Sequence, residues 1–248
     1  PSRQKMLPIA AAIMLLASSA ASAQEVVKIG VSGPLSGANA FAGKDNENGA
    51  RLAIEELNAK KIKVAGKAVT FALSSEDDQG DPKAGVSGAQ KFVDIGVKFV
   101  LGPYNSGVAI PASRIYNDAG ILMSTVGTNP KVTQSGYKTV FRIVASDTQL
   151  GGSMADYAAR QLKLKNVGVI DDRTAFGQGI AMEFAKQAKR AGVKVAGHEF
   201  TNDKATDFAA ILTALKARKV DAIFFGGYAP QGAPMARQMR ALGLNAKL

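Results

Sequence analysis

The sequence predicts an α/β protein of two doubly wound lobes, each a parallel sheet covered by helices on both faces. Three observations predict it. Short, largely apolar runs alternate with longer segments of helical spacing along the chain. Runs of that kind read as strands buried on both faces rather than as strands with one wet side. The alternation also starts afresh after Ala145-Ser146, so a first lobe is expected over residues 24–145 and a second over 146–248.

The elements follow in order. Val26 to Ser32 reads as a strand stopped by Gly33-Pro34. Ala50, Leu52, Ala53, Ile54 and Leu57 give Asn48 to Lys60 a helical period. Val69 to Leu73 is a strand. Asp81-Pro82 looks like a helix cap with proline at the first helical position, and the helix runs to Ile95. Val97 to Leu101 is a strand, Val108 to Asp118 a helix, and Ile121 to Thr125 and Val140 to Val144 two more strands. In the second half Asp147 is placed to cap a helix from Thr148 to Leu162. Strands at Val167 to Ile170, Val193 to Phe200 and Val220 to Phe225 then alternate with helices at Gly177 to Ala191, Asp207 to Arg218 and Ala233 to Leu242.

The ends carry their own signals. Arg3 and Lys5 precede an apolar run from Leu7 to Ala17, and Ala21-Ser22-Ala23 is a small-x-small cleavage signal before Gln24. That is the layout of a secretory signal peptide over residues 1–23. The run is shorter than the roughly 20 apolar residues of a membrane span. The mature chain is therefore expected outside the cytoplasm, in the periplasm, and not embedded in the membrane. Ala246 to Leu248 lead toward a further strand, and three strands are few for a sheet, so the second lobe is expected to lack its C-terminal part. Pro1 stands where a methionine would open the chain.

Composition narrows the chemistry. There are no cysteines, which rules out disulfides and thiolate catalysis. A single histidine, His198, leaves little scope for a zinc site, and no metal or other cofactor is expected. Without Arg3 and Lys5 the mature part carries 29 basic and 20 acidic side chains, a net of +9. The cations are scattered; the short clusters Lys60-Lys61-Lys63 and Lys186-Lys189-Arg190 fall at the ends of predicted helices where the dipole favours them, and no aromatic residues interleave with them. A nucleic-acid partner is not expected.

In open parallel sheets ligands bind beyond the carboxyl ends of the strands. Four loops lie there: Gly102 to Gly107, Val126 to Pro130, Asp171 to Gly177, and Gly226-Gly227-Tyr228. Each combines glycine with a hydroxyl or an aromatic ring. A carboxylate held by Ser106, Thr128 and nearby backbone N–H groups suits such loops, because helix N-termini favour anions. Ser106 and Thr128 serve equally well as plain helix caps on this pattern alone.

The same loops resemble the branched-chain amino-acid binding proteins of ABC transporters. The resemblance is carried by Lys28-Ile29-Gly30, Ser32 to Gly37, Gly49-Ala50, Asp77-Asp78, Asp81-Pro82-Lys83, Ser106 with Pro111-Ala112-Ser113, Asp171 to Gly179, Asp207-Phe208 and Gly226-Gly227-Tyr228. It spans residues 26 to 245 and lies in the ordered series, not in any one piece. It implies a periplasmic binding protein of type I, a Venus flytrap that closes on a small amino-acid-like ligand and passes it to an ABC transporter permease, working as a monomer. It also implies that Ser106 and Thr128 hold the ligand carboxylate, that backbone groups at Val126 and Gly127 assist, and that Phe176 and Tyr228 come from the second lobe. Phe41 matches an aromatic position of the family loosely. Val126-Gly127 stands where leucine-binding members commonly carry two alanines, and Phe176 where a tyrosine is common. The acidic partner of the ligand ammonium is expected beyond Leu248.

Two rival readings remain. One is a ligand-sensing receptor domain of the same fold, for amides or small carboxylates; the cleaved signal argues instead for free periplasmic life. An enzyme is not expected. No GxGxxG follows the first strand, no Gly-x-Ser-x-Gly elbow occurs, and His198 falls within a strand as a structural residue. The acidic run Glu76-Asp77-Asp78 with Asp81 reads as a solvated loop and a cap, with a bound cation as the alternative.

Overall fold

A computed structural model of the chain describes residues 25–248; the expected signal peptide lies outside the described residues. Among the described residues no helix is long and apolar enough to cross a membrane. The first lobe holds strands β1 (Glu25–Gly33), β2 (Lys63–Val64), β3 (Lys67–Asp77), β4 (Phe99–Leu101), β5 (Leu122–Thr125) and β6 (Val140–Arg142). Its helices are α1 (Ala40–Ala59), α2 (Pro82–Asp94), α3 (Ser106–Asp118) and the short α4 (Lys131–Gln134). The second lobe holds β7 (Asn166–Asp171), β8 (Lys194–Phe200) and β9 (Ala222–Gly226), with α5 (Asp147–Arg160), α6 (Ala175–Arg190), α7 (Ala209–Ala217) and α8 (Ala229–Ala241).

The sheets run β2-β3-β1-β4-β5-β6 and β8-β7-β9. All pairings are parallel except the β2–β3 hairpin. Register brings the strand ends into line: Gly33 pairs with Asp77, Leu101 with Ser124, and Thr125 with Arg142. In the second sheet Asp171 pairs with both Phe200 and Gly226. The four loops singled out from the sequence therefore leave their sheets at the carboxyl edge. Lys247 makes a parallel bridge to Ala222, with Ile223 N donating to Lys247 O at 2.7 Å, so the chain after α8 returns alongside β9.

Strand β7 shows why the second sheet is covered twice. Successive side chains of a strand face opposite sides. Val167 and Val169 pack with Ala155 and Ala158 of α5 and Phe184 of α6, whereas Ile170 packs with Leu212 of α7 and Met235 of α8. Phe184 stacks on Phe224 with ring centroids 4.0 Å apart. In the first lobe the largest buried side chains are Tyr116, Phe92 and Met123, which join α2 and α3 to the central strands. Each such burial contributes about 1.5–3 kcal/mol.

Several boundaries differ from the sequence expectation. Helix α1 starts at Ala40, not Asn48. Its buried residues are Gly43, Ala50 and Ile54, and a glycine in the contact row leaves no apolar mark in its first two turns. Strand β3 runs to Asp77 through Ser74, Ser75 and Glu76, held by an unbroken ladder to β1. Helices α3, α6 and α8 begin earlier than expected, at Ser106, Ala175 and Ala229, and α7 begins later, at Ala209. Helix α4 was not anticipated. The cap of α5 is Ser146, not Asp147. Ser146 N donates to Gln149 Oε1 at 3.0 Å and Gln149 N donates back to Ser146 Oγ at 3.4 Å, a reciprocal capping box. Asp147 lies inside the helix and is fully buried. The cap at Asp81 is as expected, its Oδ1 accepting from Lys83 N at 2.8 Å and Ala84 N at 2.9 Å.

Candidate functional site

Between the carboxyl edges of the two sheets lies a cleft of about 490 Å³. Ser106, Val126, Thr128 and Phe41 border it from the first lobe, and Phe176 and Tyr228 from the second. Six of the seven residues singled out from the sequence thus share one cavity. The seventh, Gly127, is not in the lining; its N–H donates to Thr125 Oγ1 at 2.9 Å.

Each polar group owes its place to a local feature. Gly102 turns the chain after β4 at a φ of +106°, and a Cβ there would overlap the Ser32 carbonyl. That turn leads into Ser106 as the first residue of α3, 1% exposed. Ser106 Oγ accepts from Asn129 N at 3.1 Å. The bond uses a lone pair and leaves the hydroxyl hydrogen free to donate. Thr128 Oγ1 is buried and makes no hydrogen bond. It sits beside the Asp147 carboxylate and favours its charged form, but the pair does not meet hydrogen-bond geometry. Both Asp147 oxygens are buried without a partner, and burial pushes this carboxyl above its ordinary value despite help from Thr128 and Arg142.

Aromatic side chains close the cleft. Phe176, in the first turn of α6, meets Tyr228 with ring centroids 5.1 Å apart at 43°. Tyr104 meets Tyr228 at 6.2 Å. Burial pushes the Tyr228 hydroxyl up, so it stays protonated and able to donate at neutral pH. Val144, Leu150 and Ile180 add apolar wall. Phe41 stands at the rim, 61% exposed.

Asn129, not singled out in the sequence, ties the lobes together. Asn129 Nδ2 donates to Ala175 O at 2.7 Å, and its Oδ1 accepts from Lys131 N at 3.0 Å. Gly179 of α6 leaves the room this needs: a Cβ there would lie 2.6 Å from Asp147 Oδ2 and 2.7 Å from Asn129 Nδ2. Tyr104 and Asn129 sat inside loops already marked as ligand loops, so position was the available signal. Nothing in the sequence marked Asp147 as buried.

The acidic run is occupied by the protein itself. Asp77 Oδ1 accepts from Leu35 N, Ser36 N and Gln79 N, Asp78 from Ser32 Oγ and Gly80 N, and Glu76 pairs with Lys91 at 2.9 Å. Among the described residues no group of three or more His, Asp or Glu side chains is placed to hold a metal. His198 lies within β8, with Nε2 2.6 Å from Asp171 Oδ2 and its ring against Phe200.

Two α/β lobes meeting at their strand ends, with hydroxyls on one side and aromatic rings on the other, agree with a family model described as periplasmic binding protein, which matches residues 26–248. The chain belongs to the periplasmic binding protein family. Within that family it is 39% identical over 227 residues to the Leu/Ile/Val-binding protein BraC3 of Rhizobium johnstonii, covering 90% of this chain and 60% of that protein. It is 36% identical over 228 residues to a Leu/Ile/Val-binding protein homolog of Brucella melitensis, with 92% and 61% covered. The crystal structure of a leucine-binding protein from Thermotoga maritima superposes with a TM-score of 0.81 at 30% identity, over 89% of this chain and 61% of that one. That of a branched-chain amino acid transporter substrate-binding protein from Streptococcus pneumoniae, in complex with isoleucine, gives 0.79 at 25% identity, over 90% and 63%. The chain spans about 60% of the length of the curated relatives it matches. These family members share its fold through both lobes.

Proposed function

We propose that this chain captures a branched-chain or related amino acid between its lobes, in the periplasm after signal-peptide cleavage, and hands it to the permease of an ABC importer. The observation that carries the reading is the Ser106–Thr128 pair: one hydroxyl with its hydrogen free and one with no partner, on two residues that border the cleft where α3 begins. A ligand carboxylate there accepts from both hydroxyls and feels the positive end of the α3 dipole. Each charge-assisted bond contributes about 1.5–3 kcal/mol, so three or four approach the ~8 kcal/mol of micromolar binding. Phe176, Tyr228 and Leu150 then cover the ligand's apolar part. The relatives named above support an amino acid as the ligand. On this reading binding closes the lobes as a hinge, since the anchors and the covering rings belong to different lobes. A thermal-shift screen of amino acids and small carboxylates tests it, because a ligand of the folded state raises Tm by mass action. Stabilisation by leucine, isoleucine or valine is the expected result; no response to any amino acid would overturn it.

A further inference from the structure

A parallel lobe sends each helix back across its sheet, so helix C-termini and strand N-termini gather at the amino edge, opposite the cleft. In the second lobe that edge collects cations that lie far apart in sequence. Helix α5 ends at Arg160, and α6 ends with Lys189 and Arg190. The turns and strand starts that follow supply Lys163, Lys165, Lys194 and Lys219. Register lines the strand starts up: Lys194 N donates to Lys165 O at 2.9 Å, and Asp221 N to Asn166 O at 2.7 Å. Ala158 and Ala188, in the last turns of α5 and α6, share a core cluster with Leu164 and Val193, so the helix ends sit over those strand starts.

All seven cations are exposed, and among the described residues none of them lies in an ion pair. The carboxylates nearby are already engaged. Asp221 Oδ2 accepts from Lys165 N and Asn166 N, both at 2.8 Å, and Asp156 Oδ1 accepts from Gln187 Nε2 at 2.9 Å. The first lobe is different: α2 and α3 end in Asp94 and Asp118, and Asp118 lies 3.7 Å from Arg114. Helix dipoles favour cations at the ends of α5 and α6, but they do not account for lysines in turns and at strand starts. Tyr157 and Leu162, in the last turn of α5 and just after it, are 51% and 38% exposed. An amphipathic ring and an apolar chain beside unpaired cations match the headgroup layer of an anionic bilayer, where apolar side chains enter the interface and cations meet phosphate.

We propose that the amino edge of the second lobe is a docking surface for a bilayer bearing anionic phospholipid headgroups. Strand β7, six residues long, sets this edge about 20 Å from the cleft, so docking leaves the ligand loops free. On the importer reading above, the surface keeps the protein beside the membrane that carries its permease; the docking itself does not depend on that reading.

Co-sedimentation with vesicles of equal parts phosphatidylglycerol and phosphatidylcholine tests it. The mature protein is used, so that the expected signal peptide takes no part. Binding to these vesicles should be at least tenfold tighter than to phosphatidylcholine alone, and should vanish in about 1 M salt, where the Debye length is about 3 Å. A variant carrying Lys163→Gln, Lys165→Gln, Lys194→Gln and Lys219→Gln should bind at least a hundredfold more weakly, since each cation at an anionic surface contributes about fivefold. Should that variant not fold, Lys189→Gln with Arg190→Gln should weaken binding at least tenfold. Removing as many charges from the first lobe, with Lys60→Gln, Lys61→Gln, Lys63→Gln and Lys67→Gln, should cost less than fivefold. Equal losses in the two quadruple variants would make net charge the cause and overturn the proposal. No binding to the phosphatidylglycerol vesicles overturns it too, and leaves an acidic protein as the partner of this edge. The readout involves no amino acid, so failure of leucine to bind overturns the function proposed above and not the docking surface.

Discussion

Asn129 Nδ2 donates to the Ala175 carbonyl at 2.7 Å, and this bond crosses from the first lobe to the second. The backbone N–H of the same residue holds Ser106 Oγ at 3.1 Å. One asparagine, 8% exposed, therefore touches both Ser106, the proposed carboxylate anchor, and the opposite lobe. Asn129→Ala should keep the backbone bond to Ser106 and lose the bond to Ala175. Affinity for the amino-acid ligand should fall about fivefold to tenfold, the worth of one buried bond. Small-angle scattering should show a smaller ligand-induced drop in radius of gyration than in the unaltered protein. A drop of full size would remove Asn129 from closure.

Ser106→Ala removes the free hydroxyl of the anchor. Binding should weaken by about tenfold to a hundredfold, as expected for one charge-assisted bond. Tm without ligand should also fall by a few degrees, because Asn129 N loses its acceptor. Isothermal titration of a folded variant gives the answer, and unaltered affinity would discard the carboxylate role.

Asp147 makes stability depend on pH. Burial raises its carboxyl above the ordinary 3.8 in the folded state. An acid raised in this way binds its proton more tightly when folded, so it weakens the fold at neutral pH. That penalty is relieved as pH falls through the raised folded value and is gone below 3.8, the value of the unfolded chain. Asp147→Asn should therefore raise Tm at pH 7, with a gain that shrinks as pH approaches 4. A gain equal at both pH values would mean that the carboxylate charge is not the cause.

Gly179→Ala tests the interlobe packing from the other side. The added Cβ would press on Asp147 Oδ2 and Asn129 Nδ2 at 2.6 and 2.7 Å. Overpacking of this kind costs about 1–3 kcal/mol. The closed arrangement should suffer more than either lobe alone, so ligand affinity should fall even where far-ultraviolet circular dichroism is unchanged. Affinity within twofold of the unaltered protein would show that α6 can shift without cost.

Most of the fold is legible in the sequence because it rests on local patterns. The apolar run at Val167 to Ile170, the cap at Asp81 before Pro82 and the glycines Gly33, Gly102 and Gly226 at strand ends announce themselves without a partner. Errors fall where a side chain leaves no hydrophobic mark. Gly43 hides the first turns of α1, and the polar end of β3 is held by its ladder to β1. Ser146 and Asp147 are both good cap residues, and only the return bond from Gln149 separates them.

The sequence by itself determined the α/β architecture, the four glycine-bearing loops at the strand ends and the presence of hydroxyls and aromatic rings in them, since these follow from residue type and spacing along the chain. Tertiary structure alone decided which of those groups remain unsatisfied. Gly127 N–H is taken by Thr125, the acidic run is taken by backbone N–H groups, and Asp147, Thr128 Oγ1 and Asn105 are left without partners. The physical reason is that a hydrogen bond depends on where two distant segments meet. Asn129 and Ala175 are 46 residues apart in sequence and in contact across the cleft.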